Sequence, residues 1–206
     1  MTKTKKKNTV YFVQLALLTA VLALFAFTPL GTLKITPGVS ATLAHIPVII
    51  GAIVLGKWAG LYLGSMFGLF SFIVWTFIYP GDPMAPIFTP FAENAVMGSS
   101  LWSLVIVFVP RALFGLLTAI ISSFFEKRVK INCTFAATIS AIIGTALHSA
   151  MVLSLIYFIF GSVYSEGKHL VAFIIAWAGV NCLLEIAVAA VVSAALTVPL
   201  KKISEA

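Results

Sequence analysis

An arginine, Arg111, lies in the middle of a long apolar stretch, SLWSLVIVFVPRALFGLLTAIISSFFEK, that covers residues 100–127. The stretch is long enough to cross a bilayer as a helix. At that depth a guanidinium is costly unless it has a partner or faces water. Pro110, just before it, weakens the local helix and makes room for the side chain. Arg111 is suited to the recognition of an anion, because a guanidinium forms charge-assisted hydrogen bonds with carboxylates.

Other polar residues are predicted at the same depth. With about 1.5 Å of rise per residue, Arg111 lies roughly 16 Å below the outer end of its span. Asn181 is at a similar depth in the last apolar span, and His148 is about 12 residues from the outer end of the fifth. Trp177, Asn181 and Glu185 are spaced four apart and share a helix face. Two interpretations stay open: an Arg111–Glu185 ion pair that holds helices together, or a cavity in which Arg111 binds an anionic ligand.

The composition is that of an integral membrane protein. Of the 206 residues, 61% are hydrophobic and 9% are charged, whereas soluble domains carry about 25% charged residues. The net charge is +7, but the basic residues cluster between apolar runs, which argues against a nucleic-acid partner. We predict a single all-α domain in the lipid bilayer over residues 1–206, with six transmembrane helices at about 10–27, 40–55, 58–78, 100–125, 133–160 and 170–200.

The basic residues also predict the orientation, because Lys and Arg are enriched in cytoplasmic loops. With a cytoplasmic N-terminus, ten of the 13 basic residues lie in inner segments, and only Lys34 and Lys168 lie in outer loops. Both termini are then cytoplasmic, and the Pro-rich loop at 79–99 is external. Loops this long often act as lids or binding loops, which makes Asn94 a candidate for closing over a ligand.

Small residues recur four apart on two of the predicted spans, a spacing that lets a second helix approach closely. Ala16 and Ala20 on the first span indicate either internal packing or docking to another membrane subunit. Gly60, Gly64 and Gly68 form a stripe on the third span. Because a very tight turn joins the second and third spans, we predict that this stripe packs against the second span.

The sequence contains no constellation of catalytic or metal-binding residues. It has no paired-carboxylate site, no His/Asp/Glu cluster at ligand spacing and no Gly-rich phosphate loop. Cys133 and Cys182 lie far apart without a spacing pattern, which indicates two ordinary core residues. We therefore predict neither an enzyme nor a metal or cofactor site, and any ATP-driven step belongs to another polypeptide.

Three sequence blocks are similar to those of a known transporter family. Ala16 and Ala20 resemble an alanine motif of its first helix, and AHIPVIIGA at 44–52, followed by the glycine stripe, resembles its second and third helices. The FVPR sequence at 108–111 resembles the fourth helix of one branch. The family is that of the S components, the substrate-binding subunits of energy-coupling factor (ECF) vitamin transporters, and the branch is that for pantothenate.

The resemblance implies that the protein binds a vitamin from outside. It also implies association through the first helices with a transmembrane coupling subunit, which carries two cytoplasmic ATPases. For pantothenate, Arg111 would contact the carboxylate, while Asn181 and His148 would serve the amide and hydroxyls. Trp102 and Trp177 would form aromatic walls, and Asn94 would close over the ligand.

Several alternatives stay open at this stage. His45, which Pro47 follows closely, is either a structural donor or a ligand contact. An S component for folate, riboflavin or pyridoxine is an alternative, because Trp75, Trp102 and Trp177 are able to hold a flat ring system. A free-standing secondary transporter is another, although no inverted repeat relates the first three spans to the last three.

Overall fold

The computed structural model describes residues 3–36, 39–92, 100–165 and 167–205, and their side chains except at 3–7, 32–41, 180 and 204–205. Within these ranges the fold is helical apart from one antiparallel hairpin, β1 (Thr32–Thr36) and β2 (Val39–Thr42). Turns of π-helix, Val74–Ile78 and Phe125–Val129, follow α3 and α5. The α-helices are α1 (Lys3–Phe27), α2 (His45–Leu55), α3 (Lys57–Ile73), α4 (Ala85–Phe88), α5 (Trp102–Phe124), α6 (Cys133–Tyr164) and α7 (Leu170–Glu205).

Five stretches in the described part of the chain are long and apolar enough to cross a membrane as helices. They are Asn8–Phe27, Lys57–Ile78, Trp102–Val129, Cys133–Tyr164 and Asn181–Ile203, and each overlaps a predicted span. The second predicted span differs, because only the 11 residues of α2 are helical. Eleven residues form about 16 Å of helix, roughly half the thickness of a bilayer core.

The start of α2 corrects the prediction for residues 40–44. The chain before α2 forms the β1–β2 hairpin, in which Thr32 pairs with Thr42 and Leu33 with Ala41. Threonine on both sides of this turn, with isoleucine in β1 and valine in β2, favours extended strands over helix. His45 is consequently the first residue of α2 and does not lie inside a longer helix.

The external loop predicted at 79–99 contains the short helix α4, whose first three residues are buried. Ser103, in the first turn of α5, donates a hydrogen bond from Oγ to the carbonyl oxygen of Pro86 at 2.6 Å. The hydroxyl groups of Thr76 and Thr89 are hydrogen-bonded at 2.8 Å. These bonds hold α4 against α5 and the end of α3, so this part of the loop belongs to the core.

The glycine stripe of α3 packs mainly against α5; of the predicted packing against the second span, only the approach of Gly60 to Ala52 on α2 is present. A Cβ atom at Gly60 would collide with the carbonyl group of Gly115, and one at Gly115 would collide with that of Gly60. A Cβ atom at Gly64 would collide with the carbonyl oxygen of Arg111. Because no side chain separates the two helices here, α3 sets the position of the α5 backbone at Arg111.

We expect Gly64→Ala to destabilise the protein, because the added methyl group has no space and α5 must move away from α3. Overpacking of this kind costs about 1–3 kcal/mol, seen as a lower midpoint of thermal unfolding in detergent. Gly81→Ala is the matched control, since nothing lies within 4 Å of a Cβ atom there. Equal midpoints for Gly64→Ala and the parent protein would show that the two helices are not so closely packed.

Candidate functional site

A cavity of about 380 Å³ is lined by residues of α4, α5, α6, α7 and the end of β2. Its volume lies in the range of about 300–1,000 Å³ that is usual for small-molecule sites. Aromatic walls come from Phe88 and Trp177. Polar and charged groups converge on it from four elements, namely Thr42, Arg111, His148, Ser149, Asn181 and Glu185.

Arg111 is oriented by a gap in backbone hydrogen bonding that Pro110 creates. Proline has no N–H group, so Pro110 leaves the carbonyl of Ile106, four residues earlier, without its helical donor. Arg111 Nη1 donates to this carbonyl oxygen at 3.2 Å and to that of Val107 at 3.0 Å. The adjacent proline and arginine therefore direct the guanidinium back along α5 toward the N-terminal end of the helix.

The guanidinium of Arg111 is buried and has no acidic partner among the described residues. The residue is 6% exposed, and its Cζ atom lies 5.1 Å from the ring centroid of Phe67 and 5.2 Å from that of Phe88. Nε has no hydrogen-bond partner among the described residues. No described carboxylate lies within 4.0 Å of its nitrogen atoms. Within the described part of the chain, the two rings and two carbonyl oxygens leave the positive charge without the counter-ion that a buried ion normally requires.

The predicted Arg111–Glu185 ion pair does not form between these two residues. Glu185 lines the same cavity, but its Oε1 accepts a hydrogen bond from the backbone N–H of Thr42 at 2.9 Å. This bond joins α7 to the end of β2, close to the start of α2. The hairpin, which was not predicted from the sequence, thus supplies a hydrogen-bond donor to this carboxylate.

His148 on α6 lines the cavity beside two aromatic rings. Its ring centroid lies 5.0 Å from that of Phe114 and 6.0 Å from that of Phe67. The Nε2 atom is buried and has no hydrogen-bond partner in the described part of the chain. Since buried polar atoms are nearly always paired, this nitrogen is a hydrogen-bonding group available to a ligand.

The polar face predicted on the last span lines the cavity, although α7 is not a continuous helix. The backbone breaks at Gly179, where φ is 37° and ψ is −141°. Trp177 before the break and Asn181 and Glu185 after it all line the cavity. The Trp177 ring packs against Phe173 with 5.2 Å between ring centroids. The two parts of α7 therefore contribute an aromatic wall and a polar wall to one site.

Two predicted site residues do not line this cavity, and a third, Asn94, lies outside the described residues. Trp102 is 63% exposed and borders a separate depression with Phe158. It precedes Arg111 by nine residues, about two and a half helical turns, so the two side chains leave α5 on opposite faces. His45 is 3% exposed and lies within the core, with its ring centroid 6.4 Å from that of Phe114.

Phe67, Phe88 and Thr42 contribute to the site but were not predicted from the sequence. Phe67 precedes a glycine of the α3 stripe, and this adjacency is a usable signal, because the stripe brings α3 against α5. Phe88 is carried to the guanidinium by the buried helix α4. Thr42 acts through its backbone N–H, for which the residue type gives no signal.

Residues 11–197 match the family model described as "ECF transporter, substrate-specific component". The chain belongs to this family. The S component is therefore a transport protein rather than an enzyme, and it is a multi-pass protein of the membrane. The family predicted from the sequence is thereby confirmed.

Two known proteins are similar to this S component. The pantothenic acid transporter PanT of Lactococcus lactis subsp. cremoris (strain MG1363) is 34% identical over 168 residues, which cover 80% of this chain and 79% of PanT. A solved structure of ThiT from Listeria monocytogenes superposes with a TM-score of 0.63 over 96% of this chain and 98% of ThiT. At 18% sequence identity, the similarity to ThiT concerns the fold alone.

Ala16 and Ala20 lie on an exposed face of α1 of the S component. Both alanines are exposed, and their neighbours include Val13 and Leu17, each 61% exposed, and Leu24, 49% exposed. The opposite side of α1 contacts α2, α3 and α7. Of the two interpretations of this spacing, internal packing does not apply to these alanines, which point away from the rest of the described fold.

Proposed function

We propose that this S component binds pantothenate in the cavity and delivers it across the cell membrane as part of an ECF transporter. The observation that carries the proposal is the buried guanidinium of Arg111, which borders the cavity without a carboxylate partner in the described chain. A carboxylate on the ligand would be the counter-ion of this guanidinium and would accept charge-assisted hydrogen bonds, which are about twice as strong as neutral ones. The identity of 34% to a pantothenic acid transporter supports this choice of vitamin.

The other groups of the cavity suit the rest of this molecule. Pantothenate has a carboxylate at one end, an amide in the middle and two hydroxyls at the other end. With the carboxylate on Arg111, the amide and hydroxyls are assigned to His148 and Asn181, which line the same cavity. Trp177 and Phe88 supply apolar walls for the carbon chain. Asn94, which lies between α4 and α5 in the sequence, is proposed to close over the ligand.

The chain is further proposed to form one membrane domain with six membrane segments and both termini in the cytoplasm. The ion pair between Lys201 Nζ and Glu126 Oε1, at 2.5 Å, joins the C-terminal ends of α7 and α5. Lys127 and Arg128 lie at the same end, which the enrichment of basic residues in cytoplasmic loops makes the inner one. The cavity is lined by residues in the N-terminal halves of α5 and α7, beside α4, which supports an opening toward the external half of the protein.

The proposed partners are a transmembrane coupling subunit and two cytoplasmic ATPases. The exposed face of α1 that contains Ala16 and Ala20 is the proposed docking surface for the coupling subunit. Small residues four apart allow the backbone of a neighbouring membrane helix to approach closely. Family membership supports an assembly of this kind, because a substrate-specific component acts with the other components of its transporter.

Binding of pantothenate and pantothenol to the purified protein tests the vitamin and the role of the cation together. Pantothenol has an alcohol in place of the carboxylate, so it leaves Arg111 unpaired. We expect pantothenate to bind and pantothenol to bind at least about thirtyfold more weakly, because an unpaired buried charge costs about 2 kcal/mol or more. Isothermal titration calorimetry in detergent measures both constants. Equal affinities, or no binding of pantothenate, would contradict the proposal.

A further inference from the structure

Two oppositely charged side chains line the cavity without pairing with each other. Arg111 is held by the carbonyl oxygens of Ile106 and Val107, and Glu185 is held by the N–H of Thr42. Opposite charges attract each other, yet these two have separate anchors on separate elements. The cavity therefore has a positive wall on α5 and a negative wall on α7.

We propose that Glu185 is a specificity-determining residue of this cavity. It accepts a hydrogen bond from a neutral donor at the end of the ligand that is distant from the carboxylate. It also rejects ligands that carry a second negative charge. The inference rests on the proposed function and deepens it, because it names the class of ligand: a monoanion whose other end carries hydroxyl donors.

The anchoring of Glu185 is suited to this role. A carboxylate has two oxygen atoms and about four acceptor positions. Thr42 N–H occupies one position on Oε1 and so orients the group while leaving acceptor capacity for hydroxyl donors of the ligand. The hydroxyls of pantothenate lie at the opposite end from its carboxylate, which matches a cation on one wall and an acceptor on another.

The negative wall also excludes a specific class of close analogues. A phosphate ester on the primary hydroxyl of pantothenate has an anionic group at each end. Whichever end occupies Arg111, the other anion is placed toward Glu185. Like charges placed side by side at a binding site cost several kcal/mol. The protein is therefore expected to take up the free alcohol and to reject its phosphate ester.

The test compares pantothenate with this phosphate ester in the parent protein and in three variants. Glu185→Gln keeps an acceptor for Thr42 N–H but removes the charge, and Glu185→Asp keeps the charge. Glu126→Gln is the matched control, because Glu126 pairs with Lys201 away from the cavity. Dissociation constants come from titration calorimetry in detergent, and thermal melts establish that each variant is folded.

We expect the parent protein to bind the ester at least about a hundredfold more weakly than pantothenate. In Glu185→Gln this ratio should fall at least about tenfold, whereas Glu185→Asp and Glu126→Gln should keep it. An unchanged ratio in Glu185→Gln, or an equal fall in the Asp variant, would overturn the role of the charge. Equal binding of both ligands by the parent protein would overturn it without any variant. Absence of pantothenate binding would instead refute the proposed function.

Discussion

Replacement of Arg111 by glutamine should abolish high-affinity binding of pantothenate. The guanidinium is 6% exposed and has no carboxylate partner within the described chain, so the ligand is its expected counter-ion. Loss of one member of a buried, hydrogen-bonded charge pair costs about 2–5 kcal/mol, which corresponds to a fall in affinity of roughly thirtyfold to several thousandfold. Titration of the purified variant with pantothenate measures the loss.

Two controls separate this electrostatic role from a structural one. Arg128→Gln removes the other arginine of the chain, which is exposed beyond the end of α5, and should leave binding unchanged. Pantothenol, which has no carboxylate, should bind Arg111→Gln at least as tightly as it binds the parent protein, because the variant has no cation to leave unpaired. If the variant melts normally and binds pantothenate as tightly as the parent protein, Arg111 is not the carboxylate anchor.

Replacement of Ala16 or Ala20 by tryptophan should abolish transport and spare ligand binding. Both alanines are exposed on α1, so a large side chain there leaves the described fold and the cavity intact. It would separate α1 from a helix that approaches it closely, and overpacking at such a contact costs about 1–3 kcal/mol. We expect uptake of labelled pantothenate into ATP-loaded vesicles, which contain the complete transporter, to fall about tenfold or more.

The matched control for this surface is Ala146→Trp. Ala146 is exposed on α6, whereas the neighbours of α1 are α2, α3 and α7. This variant should transport pantothenate at the rate of the parent protein, and all three tryptophan variants should bind it with unchanged affinity. Normal transport by both α1 variants would eliminate this face as the docking surface.

The sequence by itself determined the features that follow from the positions of residues along the chain. The rise of a helix is constant, so residue counting alone placed Arg111, His148 and Asn181 at one depth, and the structure brings them to one cavity. The periodicity of a helix is also local, and it grouped Asn181 with Glu185; Trp177 lines the same cavity, but the break at Gly179 separates it from their helix. Composition and three short blocks were sufficient for the membrane class and the family.

The tertiary structure decided which surfaces meet, because contacts between distant segments leave little trace in local spacing. The glycine stripe of α3 is equally suited to either neighbouring helix, and only the fold selects α5. Trp102 is as aromatic as Trp177, but its phase on α5 directs it away from Arg111. The partner of Glu185 is a backbone N–H in a hairpin, and a backbone group is the same at every residue except proline. The depth of the site residues in the membrane could therefore be predicted from the sequence. The separation of Arg111 from Glu185 could be seen only in the tertiary structure.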